Sequence, residues 1–170
     1  MFEGKVERLI FTKPIKESGE NLGFLPGNVD EKMAPYVESF LYTCKEMLTE
    51  EIVNALLESG YIECRPLAYM RGITFNNCGL FLDESQNTLF NQIMLYITRL
   101  GNNSKMVISG DVTQRDILQK DVYIYDFIEM FKEIKGVAVH EFKREDIVRN
   151  KILIEITDKY EEWKVKKGIK

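Results

Sequence analysis

The sequence predicts an α/β fold in which a parallel sheet lies between two layers of helices. Short apolar runs alternate along the chain with longer segments of helical periodicity. The apolar runs contain few polar residues, as expected of parallel strands that are covered on both faces. Two of the apolar runs lead directly into acidic residues. They are the runs that begin LFLDESQNT at Leu80 and MVISGDVTQ at Met106. Because ligands bind at the carboxyl ends of parallel strands, these acids mark a candidate site.

Five strands are predicted from apolar runs that turn residues interrupt. They are Arg8 to Thr12, Ile62 to Pro66, Gly79 to Asp83, Lys105 to Ser109 and Val137 to Phe142. His140 lies inside the last run, so we expect it to be a core histidine with its polar atoms satisfied.

Five helices are predicted between and after these strands. They are Asp30 to Leu48, Thr49 to Ser59, Thr88 to Leu100, Asp121 to Lys135 and Asp146 to Trp163. Thr49 is a suitable amino-terminal cap, and Gly60 is suited to end the same helix. The glycines and proline of residues 15–28 predict a long loop. In the last helix, we expect Trp163 to cover the core.

Composition narrows the class of protein. A length of 170 residues, 45% of them apolar, predicts one domain. The net charge of −4 argues against a generally basic surface for binding nucleic acid. Three widely spaced cysteines favour reduced thiols in a cytoplasmic protein, and a single histidine makes structural zinc improbable. No apolar run is long enough to predict a membrane span. The basic cluster lies at 164–170 and is expected to be a solvated tail.

The two acidic strand ends admit two interpretations. Asp83 and Glu84 resemble the carboxylate pair that holds Mg²⁺ and orients water in nucleotide hydrolases. An isolated pair more often caps a turn, but because Gln86-Asn87 and the GDVTQ run follow, the Mg²⁺-nucleotide role is favoured here. Gly110, Asp111 and Gln114 suit the sensing of a phosphate, although Gly-Asp is also ordinary turn chemistry. No stretch reads G-x-x-x-x-G-K-[ST], the loop that cradles phosphates.

Several ordered motifs together resemble the PhoH-like ATPase family, a RecA-like group of P-loop proteins close to superfamily-one helicases. The matching segments are TKPIKESGENLGFLPG (12–27), KMAPY (32–36), PLAYMRG (66–72), FNNCGLFLDESQNT (75–88), TRLGNNSKMVISGDVTQRD (98–116), GVAVHEF (136–142) and DIVRN (146–150). The resemblance covers nearly the whole chain. It implies a three-layer RecA-like domain over residues 1–163, with a parallel sheet and helices on both faces.

The resemblance also implies roles for individual residues. Asp83 would hold Mg²⁺, and Glu84 would act as general base on the water that attacks ATP. Asp111 and Gln114 would sense the phosphate. Arg71 and Arg149 would contact phosphate or serve as arginine fingers, although a lone arginine is more often part of a surface ion pair. Lys13 would line the nucleotide or nucleic-acid side, although it stands where an arginine is usual in the family. Ile73 replaces a second family arginine.

The largest departure from the family is the absence of the first strand with its phosphate loop. In RecA-like sheets that strand lies between the strand that bears GDVTQ and the last one, so we expect a slot that must be closed, filled or solvated. Met1 indicates a genuine start, although a misplaced start codon would look the same. A gene split in two, as can happen in phages, would also give this chain.

Two classes of function therefore remain open. The chain is either an ATPase or helicase-like subunit that needs a second polypeptide carrying the phosphate loop, or a non-hydrolysing remnant that binds protein or nucleic acid. The resemblance further implies a ring, in the family a hexamer, and RNA or DNA as a partner. It implies no membrane.

Overall fold

Four parallel strands form the sheet of this protein. The structure, a computed structural model, describes residues 4–14, 29–111, 124–143, 146, 148 and 150–168. The strands are β1 (Arg8–Thr12), β2 (Ile62–Cys64), β3 (Cys78–Leu82) and β4 (Lys105–Ile108), in the order β2-β1-β3-β4. All three neighbouring pairs are parallel. The predicted α/β class is confirmed, and the arrangement is consistent with a RecA-like fold.

Helices follow the strands much as predicted. They are α1 (Val29–Met47), α2 (Glu50–Glu58), α3 (Phe90–Ile97), α4 (Ile124–Phe131) and α5 (Lys151–Lys167), with 3₁₀ turns at Leu67–Met70 and Ser85–Asn87. Helix α5 begins later than expected, because the Asn150 side chain caps it by accepting a hydrogen bond from Ile152 N at 3.1 Å. The predicted loop at residues 15–28 lies outside the described residues.

Alternation along the strands creates two apolar layers, one on each face of the sheet. On one face, Ile10, Leu80 and Leu82 pack with Met70 and with Tyr96 of α3. On the other face, Phe11 packs with Val37 of α1, and its ring stacks on Phe40 at 4.1 Å and on Phe81 at 5.8 Å. Each large side chain buried in this way contributes roughly 1.5–3 kcal/mol. Both layers hold the strand ends in fixed register.

The chain divides into two compact units, Met1–Phe127 and Ile128–Lys170. The first contains the sheet. In the second, the predicted strand Val137 to Phe142 is wrong, because residues 137–143 form no strand and Phe142 is 80% exposed. An extended segment becomes a strand only where a neighbour completes its hydrogen bonds, and among the described residues none does so here.

One side-chain prediction in the second unit is also wrong. His140 is exposed, with its ring edge-on to Phe142 at 4.8 Å, so it is not a core histidine. It was expected to be buried because of the strand predicted around it. Trp163 is 47% exposed and stacks on Tyr160 within α5. Separately, no helix in the described part of the chain is long and apolar enough to cross a bilayer.

Candidate functional site

Three strands deliver polar residues to the same edge of the sheet. Lys13, Asp83 and Ser109 directly follow β1, β3 and β4. The parallel register continues past the strand ends, because Asp83 N donates to Thr12 O at 3.0 Å and Ser109 N donates to Leu82 O at 2.8 Å. These residues therefore lie at the same level at the carboxyl edge, where parallel sheets bind ligands.

Asp83 is half-buried, and its Oδ1 accepts a hydrogen bond from Ser109 Oγ at 2.8 Å. The described residues contain no group of three or more His, Cys, Asp or Glu side chains that could hold a metal ion. Mg²⁺ does not require such a group, since proteins commonly bind it through one or two carboxylates plus water and substrate phosphates. A single fixed carboxylate with a neighbouring hydroxyl fits that mode of binding.

Glu84 has a backbone conformation that is unusual for a residue with a side chain. Its φ of 54° and ψ of 38° lie in the left-handed region. The bends on either side are held by hydrogen bonds from Ser85 N to Ser109 O and from Asn87 N to Glu84 O, both 2.9 Å. Such a conformation costs on the order of 1–2 kcal/mol for an L-residue. Strain of this kind is typical of functional positions.

The carboxylate of Glu84 has a different partner on each oxygen. Lys13 Nζ lies 3.6 Å from Oε1, and Gln86 Nε2 donates to Oε2 at 2.6 Å. Lys13 contributes a charged group and Gln86 a neutral amide donor. The two contacts fix the orientation of the side chain next to Asp83.

Gln86 joins this carboxylate to the next strand. Its side chain is only 1% exposed, and its Oε1 accepts a hydrogen bond from Asp111 N at 3.0 Å. Asp111 belongs to the short Gly110-Asp111 segment that follows β4, so the structure brings the two acidic strand ends together through one buried amide. Sequence reasoning noted Gln86 only as a neighbour of the acids. The signal that indicates its role is its position in the turn at Ser85–Asn87, directly after Asp83 and Glu84.

Two buried hydroxyls underlie the same edge. Thr12 Oγ1 and Ser85 Oγ are buried and have no hydrogen-bond partner among the described residues. A buried hydroxyl without a partner costs roughly 1–3 kcal/mol. The edge therefore remains polar down to the strand ends, which the apolar sequence runs did not predict.

Of the other predicted site residues, only Arg71 is described, and it is not brought into this cluster. Arg71 follows the 3₁₀ turn at Leu67–Met70 and is exposed, and within the described part of the chain no hydrogen bond or ion pair joins it to Asp83 or Glu84. Gln114 and Arg149 lie outside the described residues. Their predicted roles stay predictions.

Comparison with known proteins supplies the family. The family model described as PhoH-like protein matches residues 1–161. The chain belongs to the PhoH-like family. It is 41% identical to a PhoH-like protein of Bacillus subtilis over 160 residues, which cover 93% of this chain and 50% of that protein. It is 40% identical to a PhoH-like protein of Mycobacterium tuberculosis over 157 residues, 92% of this chain and 45% of the relative.

A third relative gives the same result. The protein PhoH of Escherichia coli is 40% identical over 149 residues, which cover 85% of this chain and 42% of that protein. The chain thus spans about half the length of the curated relatives it matches. The PhoH-like resemblance read from the motifs is confirmed.

Proposed function

We propose that this PhoH-like chain forms one part of an ATP-hydrolysing site, in which ATP and water give ADP and phosphate. The observation that carries the proposal is the placement of Asp83 and Glu84 together at the carboxyl edge of a parallel sheet. Lys13 forms an ion pair with Glu84, and the side chain of Gln86 links Glu84 to the backbone N–H of Asp111. Membership of the family makes a chance grouping of these types a poor explanation.

Asp83 would hold Mg²⁺ through the carboxylate that Ser109 Oγ orients. When bound, the ion supplies positive charge to the phosphate oxygens and to the charge that develops during transfer. The hydroxyl of Ser109 donates to one carboxylate oxygen and thereby restricts the rotation of the side chain. It thus aims the other oxygen, which suits the strict geometry that Mg²⁺ requires.

Glu84 would act as general base. Its carboxylate accepts a proton from water as the water oxygen bonds to the terminal phosphorus and the bond from that phosphorus to the bridging oxygen of ADP breaks. Lys13 and Gln86 hold this carboxylate in place. Asp111 and Gln114 would respond to the terminal phosphate from the next strand. Roles for Arg71 and Arg149 in contacting phosphate are part of the same proposal.

The remaining requirement is a grip on the triphosphate. Backbone N–H groups and a lysine of a phosphate-binding loop normally supply it, and these 170 residues contain no G-x-x-x-x-G-K-[ST] stretch. We therefore propose that polypeptide outside these residues provides the loop. Assembly into a ring and binding of RNA or DNA stay predictions from the resemblance.

The chain alone is expected to hydrolyse ATP very slowly or not at all, because its acids position water but do not hold the β- and γ-phosphates. Phosphate release is measured with Mg²⁺ for the chain alone and for the chain mixed with a polypeptide that bears the family's first strand, phosphate loop and helix. The mixture should hydrolyse ATP, and Glu84→Gln should abolish that activity. Glu58→Gln, at the exposed end of α2, is the matched control.

Two outcomes would contradict this proposal. Steady turnover by the pure chain that Glu84→Gln removes would show that no added loop is needed. A stable mixture without hydrolysis would instead favour a non-hydrolysing binding module.

A further inference from the structure

We infer that Gln86 is a positioning residue that links the placement of the Glu84 carboxylate to the Gly110-Asp111 segment after β4. The roles of base and phosphate sensor that it would connect rest on the proposed function. The connection itself rests on geometry: one buried side chain donates to the carboxylate at 2.6 Å and accepts from Asp111 N at 3.0 Å.

A primary amide is the side chain suited to this task. It carries a donor and an acceptor on one rigid planar group, so one end can serve a carboxylate and the other a backbone N–H. At 1% exposure the amide has little room to rotate without losing one of these bonds. A displacement at one end is therefore transmitted to the other.

The close packing of Gly110 provides independent support. A Cβ on Gly110 would lie 2.5 Å from Ser85 Oγ, 2.8 Å from Gln86 Oε1 and 3.1 Å from Gln86 N. These separations are well below ordinary van der Waals contact, so only glycine lets this segment lie directly against Gln86. The Gly110-Asp111 segment is therefore packed on the amide as well as hydrogen-bonded to it.

The two hydrogen bonds link the positions of the groups that they join. A displacement of the Glu84 carboxylate is passed to the amide of Gln86 and from there to the segment that bears Asp111. The placement of the proposed base is thus linked to the segment that would sense the terminal phosphate.

The connection can be measured on the full chain by ¹H–¹⁵N NMR. Glu84→Gln replaces the charged acceptor and should shift the Asp111 amide signal. In a Gln86→Met background the same substitution should leave that signal unmoved, because the connecting amide is gone. Glu58→Gln is the control for a distant loss of charge. An Asp111 signal that ignores Glu84→Gln, or that responds equally in both backgrounds, overturns the inference.

A second pair of variants covers the case in which Gln86→Met does not fold. Gln86→Glu places two carboxylates together, so its thermal midpoint should fall because like charges repel. Adding Glu84→Gln reverses the direction of the bond: the new amide donates to the new carboxylate, which still accepts from Asp111 N. The midpoint should recover in the double variant. Failure to recover overturns the connection.

Activity separates the inference from the function on which it rests. In the hydrolysing mixture, Gln86→Met and Gly110→Ala should lower kcat while KM for ATP changes little, since neither residue would touch the nucleotide. A rise in KM that accompanies the fall in kcat would indicate a merely structural role and count against the inference. If the wild-type mixture does not hydrolyse ATP, the proposed function fails. The NMR and stability results would still decide whether Gln86 connects Glu84 to the Gly110-Asp111 segment.

Discussion

Glu84 combines an unfavourable backbone conformation with a side chain in the centre of the candidate site. Its left-handed φ of 54° predicts that glycine would be preferred at this position on grounds of stability. We expect Glu84→Gly to be more stable than Glu84→Ala by about 1 kcal/mol, since both remove the same contacts and only glycine relieves the strain. Urea unfolding of the two variants measures the difference directly.

The control for this prediction is Asn54 in the middle of helix α2, which is exposed. There glycine should be less stable than alanine by about 1 kcal/mol, the ordinary order for a helix. The expected signs at residues 54 and 84 are thus opposite. The same sign at both positions would contradict the strained conformation of Glu84.

Sequence could predict the acids at this scale, but not how they are held. Asp83 and Glu84 follow an apolar run, so their position at a strand end could be read directly. The bond from Ser109 to Asp83 joins residues on separate strands, and the register that brings them together depends on packing. The left-handed φ of Glu84 has no sequence signal either, because no glycine or asparagine marks it.

Helix α2 shows how a single cap supports an element that packs beside the sheet. Thr49 Oγ1 accepts a hydrogen bond from Ile52 N at 3.4 Å. Thr49→Ala should reduce the free energy of unfolding by about 1 kcal/mol, since it leaves a backbone N–H at the helix start without this partner. Thr43→Ala, within α1, is the matched control. It should be neutral or slightly stabilising, because alanine is the better helix former.

The same cap makes a pH-dependent contribution. The pKa of Glu51 is lowered, first by a hydrogen bond from its own backbone N–H and second by the Thr49 hydroxyl. A carboxyl whose pKa is lower in the folded state stabilises the fold above its unfolded pKa and loses that contribution as pH falls through the folded value. The loss from Thr49→Ala should therefore be larger at pH 7 than at pH 3 in urea titrations. An equal loss at both pH values would contradict the contribution of Glu51.

Elements with local signals were predicted well, and those that depend on partners were not. Strand β1 has the predicted bounds, and β4 ends one residue earlier, at Ile108. Their apolar runs are bounded by polar and turn residues, which makes the limits readable. Residues 137–143 have an equally apolar run but form no strand, because a strand exists only with a hydrogen-bonded neighbour.

At the scale of the whole molecule, the sheet has one edge with considerable apolar exposure. Among the described residues β4 pairs with β3 alone, and Val107 and Ile108 are 50% and 38% exposed. Ser109 N donates towards β3. Since successive residues of a strand alternate in direction, the N–H of Ile108 points away from β3. An apolar strand whose outer edge has no partner among the described residues is suited to accept another strand.

A polypeptide that carries the family's first strand, phosphate loop and helix should therefore bind at β4 and raise the thermal midpoint of the chain. Strand addition supplies main-chain hydrogen bonds and covers Val107 and Ile108, and binding to the folded state alone stabilises it by mass action. The rise should be accompanied by ATP hydrolysis. Calorimetry and phosphate release on the mixture measure the two effects.

Ile108→Pro tests whether the added strand pairs with β4. Proline removes the outward N–H but leaves the bond from Ser109 N to Leu82 O, so the sheet should survive as it does at natural edges. Ile108→Ala is the matched control, since it reduces apolar area and keeps the N–H. We expect proline to abolish the rise in midpoint and the hydrolysis, and alanine to weaken both only modestly. If proline behaves like alanine, the partner does not pair with β4. If neither the midpoint nor the activity of the unaltered chain responds to the partner, the alternative of a non-hydrolysing module is favoured, because the acids at the carboxyl edge would then lack any source of a phosphate-binding loop at the neighbouring strand.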